Sequence, residues 1–313
     1  MTGLRYILTL ILLSVAVFCY AGRYSVIVLG IAQDGGYPHA GCSKECCEQA
    51  WQNESMRRYV TALALTDSAE GKWWLFEATP DIKEQLHYFR QLTAGKYRYL
   101  PDGIFLTHAH IGHYAGLMQL GREVLGANGV PVYTLPRMRS YLEQNGPWSQ
   151  LVSLGNISLQ NMPCRKTMND RETLLKLSEQ SGVFAFTVPH RDEYSETAGY
   201  GIEAGGRKYV FIPDINKWQL WEHELASVTE QADVVLVDGT FYRDGELKGR
   251  SMAEVPHPFI SETMSLFEGQ NAHLAARIWF IHFNHTNPLL WDDDACKHVR
   301  EAGFNIAAQG EKL

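Results

Sequence analysis

The 313-residue chain has no excess of positive charge: 28 basic side chains against 35 acidic ones leave it at −7. That deficit argues against non-specific nucleic-acid binding, which draws on clustered Lys and Arg. It does not exclude an anionic substrate, because a metal ion can supply the local positive charge. Cysteine is sparse, with six residues in all, too few to be a disulfide framework. No proline- or serine-rich linker and no low-complexity run divides the chain, and past residue 21 no apolar stretch is long enough for a membrane span of roughly 20 residues. What remains is a globular composition, 45% hydrophobic and 20% charged. Such a length allows one large domain or two small ones, with about three quarters of the unfolded surface buried. The twelve histidines matter more by placement than by number.

Residues 1–21 read as an address rather than as part of the fold. Arg5 is followed by an uncharged, mostly apolar run from Ile7 to Tyr20, and Cys19 and Ala21 are the small residues that precede a cut before Gly22. This predicts a signal peptide, with a mature, exported domain over 22–313, periplasmic or secreted. An uncleaved N-terminal membrane anchor is the alternative.

Short β-branched runs punctuated by glycine predict strands over 24–29, 59–66, 73–77, 103–106 and 131–133, then 183–188, 200–204, 208–212, 234–237 and 277–283. Periodic segments predict helices over 81–92, 114–125, 136–144, 217–225, 260–268 and 291–302. The pattern is one α/β domain with two strand-rich halves, sheet on sheet, and helices outside.

The strand Gly103–Leu106 runs into Thr107-His108-Ala109-His110-Ile111-Gly112-His113. Spacing by two puts two imidazoles on one side of an extended segment, and a third at +5 can turn back as a helix begins. That arrangement suits a divalent transition metal. Other apolar strands also end in ligand-type residues: His190 after FAFTVP, Asp214 after KYVFIP, and His282 after RIWFI, with His285 three residues on. Singly, each has an ordinary explanation as a cap or a satisfied core histidine. Their repetition at strand ends points to one site.

With these residues the sequence resembles the metallo-β-lactamase superfamily, whose mark is His-x-His-x-Asp-His after a strand, then His, Asp and His at later strand ends. Within it the chain is most similar to the PqqB branch, proteins of pyrroloquinoline quinone biosynthesis. The stretches that carry this are 28–30, FEATPD at 76–81, THAHIGHYAGL at 107–117, PHRDEYSETAGYG at 189–201, DGTF at 238–241 and HFNHTNP at 282–288. The resemblance implies an αββα four-layer sandwich and one or two Zn2+, with iron or manganese as alternatives. It implies a first metal position of His108, His110 and His190, with Asp214 shared, and a second of His113, Asp214 and His282, with His285 as a borrowed ligand. Gly112 departs from the pattern, standing where the superfamily has an aspartate that binds the second metal. PqqB sequences differ in another way, keeping that Asp and losing the second His. That branch is cytoplasmic, so export is unexpected for it.

The chemistry implied is a hydrolase in which zinc-activated water attacks a small ester, lactone, amide or phosphodiester. Asp214 would bridge metals or take the water's proton, and His257 would protonate the leaving group, a role that related branches support. A rigid surface loop is the plain alternative for His257. Arg191, Asp192 and Glu193 are either supports for the ligating histidines or an exposed charge run. Asp34 and His39 are read as ordinary turn residues of the glycine loop, and Asp238 as structural or supporting. Cys42, Cys46 and Cys47 allow a disulfide to Cys164 or Cys296, a structural metal site of the kind PqqB-like chains carry there, or free thiols. Trp218, Trp221 and Trp291 are cleft or core. Two other functions stay open: a PqqB-type biosynthetic oxidation, and a non-catalytic metal- or small-molecule-binding protein on a degenerate scaffold. The expected partner is a small molecule, with no nucleic acid and no membrane span after cleavage.

Overall fold

Alternation along each strand decides which layer a side chain enters, and in the first strands both faces are apolar. Val26 and Val28 of β1 (Tyr24–Gly30) turn toward the second sheet, while Ile27 and Leu29 turn outward against helices. Leu63 and Leu65 of β2 (Ala62–Asp67) face inward, with Ala62 and Ala64 outward. Trp74 and Phe76 of β3 (Lys72–Phe76) oppose Trp73 and Leu75 in the same way. A strand buried on both faces needs cover on both sides, and this favours a layered fold.

The computed structural model describes residues 22–166, 170, 173–249 and 251–313; the expected signal peptide lies outside the described residues. Six strands form the first sheet, β1 to β3 followed by β4 (Gly103–Phe105), β5 (Val130–Thr134) and β6 (Ile157–Asn161), side by side in chain order. Seven form the second: β7 (Leu175–Ser178), β8 (Ser181–Val188), β9 (Thr197–Ala204), β10 (Arg207–Ile212), β11 (Val234–Asp238), β12 (Ile278–Ile281) and β13 (Asn305–Ile306), again in chain order. Each sheet begins antiparallel and ends parallel, the change falling at β3–β4 and at β10–β11. Phe76 meets Tyr200 and Phe211 across the gap between the sheets, with ring centroids 5.6 and 6.4 Å apart.

The helices are α1 (Glu45–Gln52), α2 (Ile82–Leu92), α3 (Ile111–Tyr114), α4 (Pro136–Gln144), α5 (Trp148–Ser153), α6 (Leu225–Glu230), α7 (Ile260–Ser265) and α8 (Asp293–Glu301). Ile82, Leu86 and Phe89 of α2 and Met138 and Leu142 of α4 cover the outer face of the first sheet. Leu225 and Val228 of α6 and Val299 of α8 join the core around the second. The result is the expected αββα sandwich.

Two expected helices differ. The segment 114–125 is not a continuous α-helix; the four-residue α3 passes into a 3-10 turn over Ala115–Leu120. Gly116 donates its backbone N–H to Ala78 O at 2.8 Å, and a Cβ there would lie 2.9 Å from that carbonyl, so a tertiary bond displaces helical pairing. Over 217–225 only a 3-10 turn (Trp218–Leu220) forms, and α6 starts at Leu225. Trp218 donates its indole N–H to Thr263 Oγ1 at 2.8 Å and Trp221 to Thr187 O at 3.1 Å. Both rings are core rather than cleft, and their burial produced the helical period. Trp291 stands elsewhere, lining a cavity of about 430 Å³ with Lys44, Cys46 and Glu246.

Candidate metal centre

Parallel strands share a direction, so their C-terminal ends present loops at one edge of each sheet, where sites are commonly built. β4 delivers His108 and His110, and α3 delivers His113. From the second sheet, β8 delivers His190, β10 Asp214, β11 Asp238 and β12 His282. All six expected metal ligands converge, and all but His110 are buried.

The expected ligands fall into two groups. In the first, His108, His110, His190 and Asp214 each direct an atom into a cluster no more than 4.8 Å across. His108 Nε2 lies 2.8 Å from His110 Nδ1, and His190 Nε2 lies 3.2 Å from that same nitrogen. Asp214 Oδ2 is 3.4 Å from His108 Nε2 and 3.3 Å from His190 Nε2. The outer nitrogens are committed: His108 Nδ1 faces Thr107 Oγ1 at 2.9 Å, His110 Nε2 faces Glu193 Oε2 at 3.0 Å, and His190 Nδ1 donates to Asn216 Oδ1 at 3.2 Å. Such outer bonds fix ring orientation and tautomer. Glu193 therefore supports a histidine and is not merely part of a surface charge run.

In the second group, His113 and His282 meet Asp34 from the loop after β1. His113 Nε2 is 3.4 Å from Asp34 Oδ1 and 3.6 Å from Asp214 Oδ2, so Asp214 lies between the groups. His282 Nδ1 bonds Thr240 Oγ1 at 2.9 Å. Glu77, at the end of β3, places Oε1 3.4 Å from His113 Nδ1. Glu77 and His282 both adopt left-handed φ, 76° and 68°, strain of the kind that gathers at functional sites. Glu77 obeys the rule that found the other residues, an apolar strand (WWLF) ending in a ligand-type side chain, but a single acid did not stand out.

Electrostatics separates the groups further. Burial, with the neighbouring His113 charge, holds His108 well below the usual histidine range. His113 is also buried, which opposes its charge, but Glu77, Asp214 and Asp34 outweigh that and hold it well above. Burial disfavours the Asp214 carboxylate, yet His190 and His257 keep it ionised well below its ordinary value. Burial lowers His282.

Among the described residues, Asp34 Oδ1, Glu77 Oε1, His113 Nε2, Asp214 Oδ1 and His282 Nε2 are buried and form no hydrogen bond, their contacts with one another and with His257 being 3.2 Å or longer. An unmatched buried polar group costs about 1–3 kcal/mol, so five in one place call for a shared partner. Imidazole and carboxylate together are a donor set for a divalent transition metal. The residues present fit such an ion.

His257 is not on a surface loop. It is buried, its Nδ1 2.8 Å from Asp238 Oδ2 and 3.2 Å from Asp214 Oδ1. Burial opposes its charge, but Asp238 and Asp214 raise it to about 9. Asp238 also accepts N–H bonds from Ile215 and Thr240, at 3.1 and 2.8 Å, so it is a pinned anchor.

Two expectations are corrected. His285 is not borrowed by the second group. It lies with Cys42, Cys46 and Cys47, whose ligand atoms fall within 4.8 Å of one another and of it, and its ring centroid is 4.4 Å from that of His39, the planes tilted by 37°. The three thiols gather there rather than with Cys164 or Cys296, and all five are free. Burial pushes Cys47 up to about 12, which makes it a poor nucleophile. Asp34 is not an ordinary turn residue, since its carboxylate enters the site.

Residues 72–283 match the model of the beta-lactamase superfamily domain. The chain is 28% identical to the coenzyme PQQ synthesis protein B of Methylorubrum extorquens (strain PA1), across 92% of this chain and 99% of that one. Among solved structures, the zinc-bound PqqB of Methylobacterium extorquens has a TM-score of 0.72 at 24% identity, covering 92% of this chain and 99% of that one. A diphosphatase of the PhnP family has a TM-score of 0.61 at 20% identity, covering 93% and 96%. These two structures establish the fold.

Proposed function

The chain belongs to the β-lactamase superfamily, on its PqqB branch, and we propose that it is a metal-dependent hydrolase of a small ester, lactone, amide or phosphodiester. The observation that carries this reading is the pair of ligand groups hinged on Asp214, with buried nitrogens and oxygens that form no hydrogen bond among the described residues. Zinc is the proposed ion, in line with the zinc-bound relative; held by these residues it would supply a Lewis acid and activate water at neutral pH.

The chain's own residues supply the rest. Thr107, Glu193 and Asn216 orient the first three histidines. Asp214 is ionised, with Oδ1 3.2 Å from His257 Nδ1 and Oδ2 near His108 and His113, and would be shared between the two positions or take the proton of an attacking water. His257 commits Nδ1 to Asp238 and is protonated at neutral pH, which leaves Nε2–H to donate to a leaving group. Cys42, Cys46, Cys47 and His285 form a separate Cys₃His set, the composition of a closed structural zinc site. Export of the mature domain belongs to the same proposal; it rests on residues 1–21 alone, and N-terminal sequencing of protein recovered outside the cytoplasm tests it.

A second reading has its own support: the match to coenzyme PQQ synthesis proteins runs nearly end to end, which favours a biosynthetic oxidation. Metal analysis and a panel of p-nitrophenyl esters, lactones and phosphodiesters separate the two. Turnover by the zinc protein, lost in His108→Ala, supports hydrolysis. Bound iron with oxygen-dependent turnover favours the second reading, and bound metal without any turnover contradicts both.

A further inference from the structure

We propose that Asp34 is the carboxylate ligand of the second metal position, standing in for the aspartate that the superfamily's histidine segment carries where this chain has Gly112. The inference rests on the metal-dependent reading above and assigns a ligand within it.

Three observations carry it. First, Asp34 Oδ1, His113 Nε2 and His282 Nε2 converge within 4.8 Å, and each of these atoms is buried and forms no hydrogen bond among the described residues. A carboxylate and two imidazoles so arranged present three lone pairs to one point. Second, positions 34 and 112 exclude one another. A Cβ on Gly112 would lie 2.6 Å from the Cα of Asp34, and it would clash with Oδ1 as well. Gly112 sits in α3 and is not among the positive-φ glycines, so its backbone does not require glycine. What occupies the space of a side chain at 112 is Asp34 itself, backbone as well as carboxylate.

Third, the loop that carries Asp34 is tied to the strand end that carries His282. Phe283 donates to Ile31 O at 2.8 Å and Gln33 donates to Phe283 O at 2.8 Å, which brackets Ala32 against the residue after His282. Gly36, at φ 70°, turns the chain away, and its N–H returns to Gln33 O at 2.8 Å. Asp34 is thus fixed relative to His282 by backbone bonds. The ligand has moved from the histidine segment to a loop on the opposite flank, and the glycine marks the position it left.

The test is zinc content of the full-length protein, loaded with zinc and freed of excess, with circular dichroism as the check on folding. Asp34→Asn is expected to hold one zinc fewer per chain than wild type, with affinity at the second position reduced by about 100-fold or more, since a direct ligand matters at least as much as its outer-shell supports. Asp34→Cys, which replaces one zinc-ligand type by another, is expected to keep that zinc. An Asp34→Asn protein that keeps the full count overturns the assignment. If Asp34→Asn does not fold, Asp34→Ser decides: one zinc fewer than wild type supports the assignment and the full count overturns it. Wild-type protein with no zinc at the histidines overturns the metal-dependent reading itself, a result distinct from either.

Discussion

The two ligand groups differ in how they are built. The first takes His108 and His110 from one strand end, and adds His190 and Asp214 from the facing sheet. Its histidines have committed outer nitrogens, and burial keeps His108 neutral. The second assembles one residue each from three places: the loop after β1, α3 and the end of β12. It carries the acid-rich surroundings of Glu77, Asp34 and Asp214 around a His113 that holds its proton. One position is thus pre-formed, with His108 held neutral. The other has to lose a proton before His113 can bind an ion. Ordinary ligand residues therefore give positions of unequal strength when their surroundings differ.

The most damaging change to this contrast is His108→Ala. It removes a buried ligand of the pre-formed position, and turnover should fall by more than the roughly 100-fold that outer-shell changes reach; steady-state kinetics with zinc content measured alongside checks it. Next is His257→Gln, which removes a buried neighbour of Asp214 but no expected metal ligand. It should lower kcat by about 100-fold or more for poor leaving groups and far less for p-nitrophenolate, with metal content unchanged. Comparing the two substrate classes is the check, and equal losses on both would remove His257 from the role of proton donor.

A finer comparison sets Glu193→Ala against Thr240→Val. Each removes one outer bond, to His110 or to His282, and each should weaken zinc about 10- to 100-fold at its own position only. Chelator competition resolves which zinc is lost first. The smallest effect is in protons. His108 lies below the usual histidine range and His113 above it, so between these extremes the first zinc should displace no proton from His108, while the second displaces one from His113. Affinity at the second position should accordingly rise as pH climbs above about 6.5. Calorimetry in buffers of different ionisation enthalpy measures the difference, and equal proton release at both positions would erase the contrast.

Most of the fold was legible because its strands announce themselves locally. Runs such as YSVIVL and VVLV are apolar on both faces and end in glycine or a ligand-type residue, and the first site group follows from those endings. What failed was what depends on space. Gly116 bends the expected helix 114–125 through a bond to Ala78, and nothing in its own neighbourhood says so. The buried pair Trp218 and Trp221 imitated a helical stripe. Asp34 read as a turn residue because its carboxylate meets His113 only after the loop beyond β1 pairs, through Ala32, with Phe283. His285 was credited to the wrong group because its cysteine partners lie far away in sequence. Gly112 was visible as a departure, but its meaning was in the residue packed against it.

The central claim, a metal centre hinged on Asp214, is tested most directly by zinc-edge anomalous diffraction from crystals of zinc-loaded protein. The account predicts one peak among His108, His110, His190 and Asp214, and a second among Asp34, His113 and His282. A map with zinc only at the cysteine cluster, or with no peak at the histidines, would contradict it.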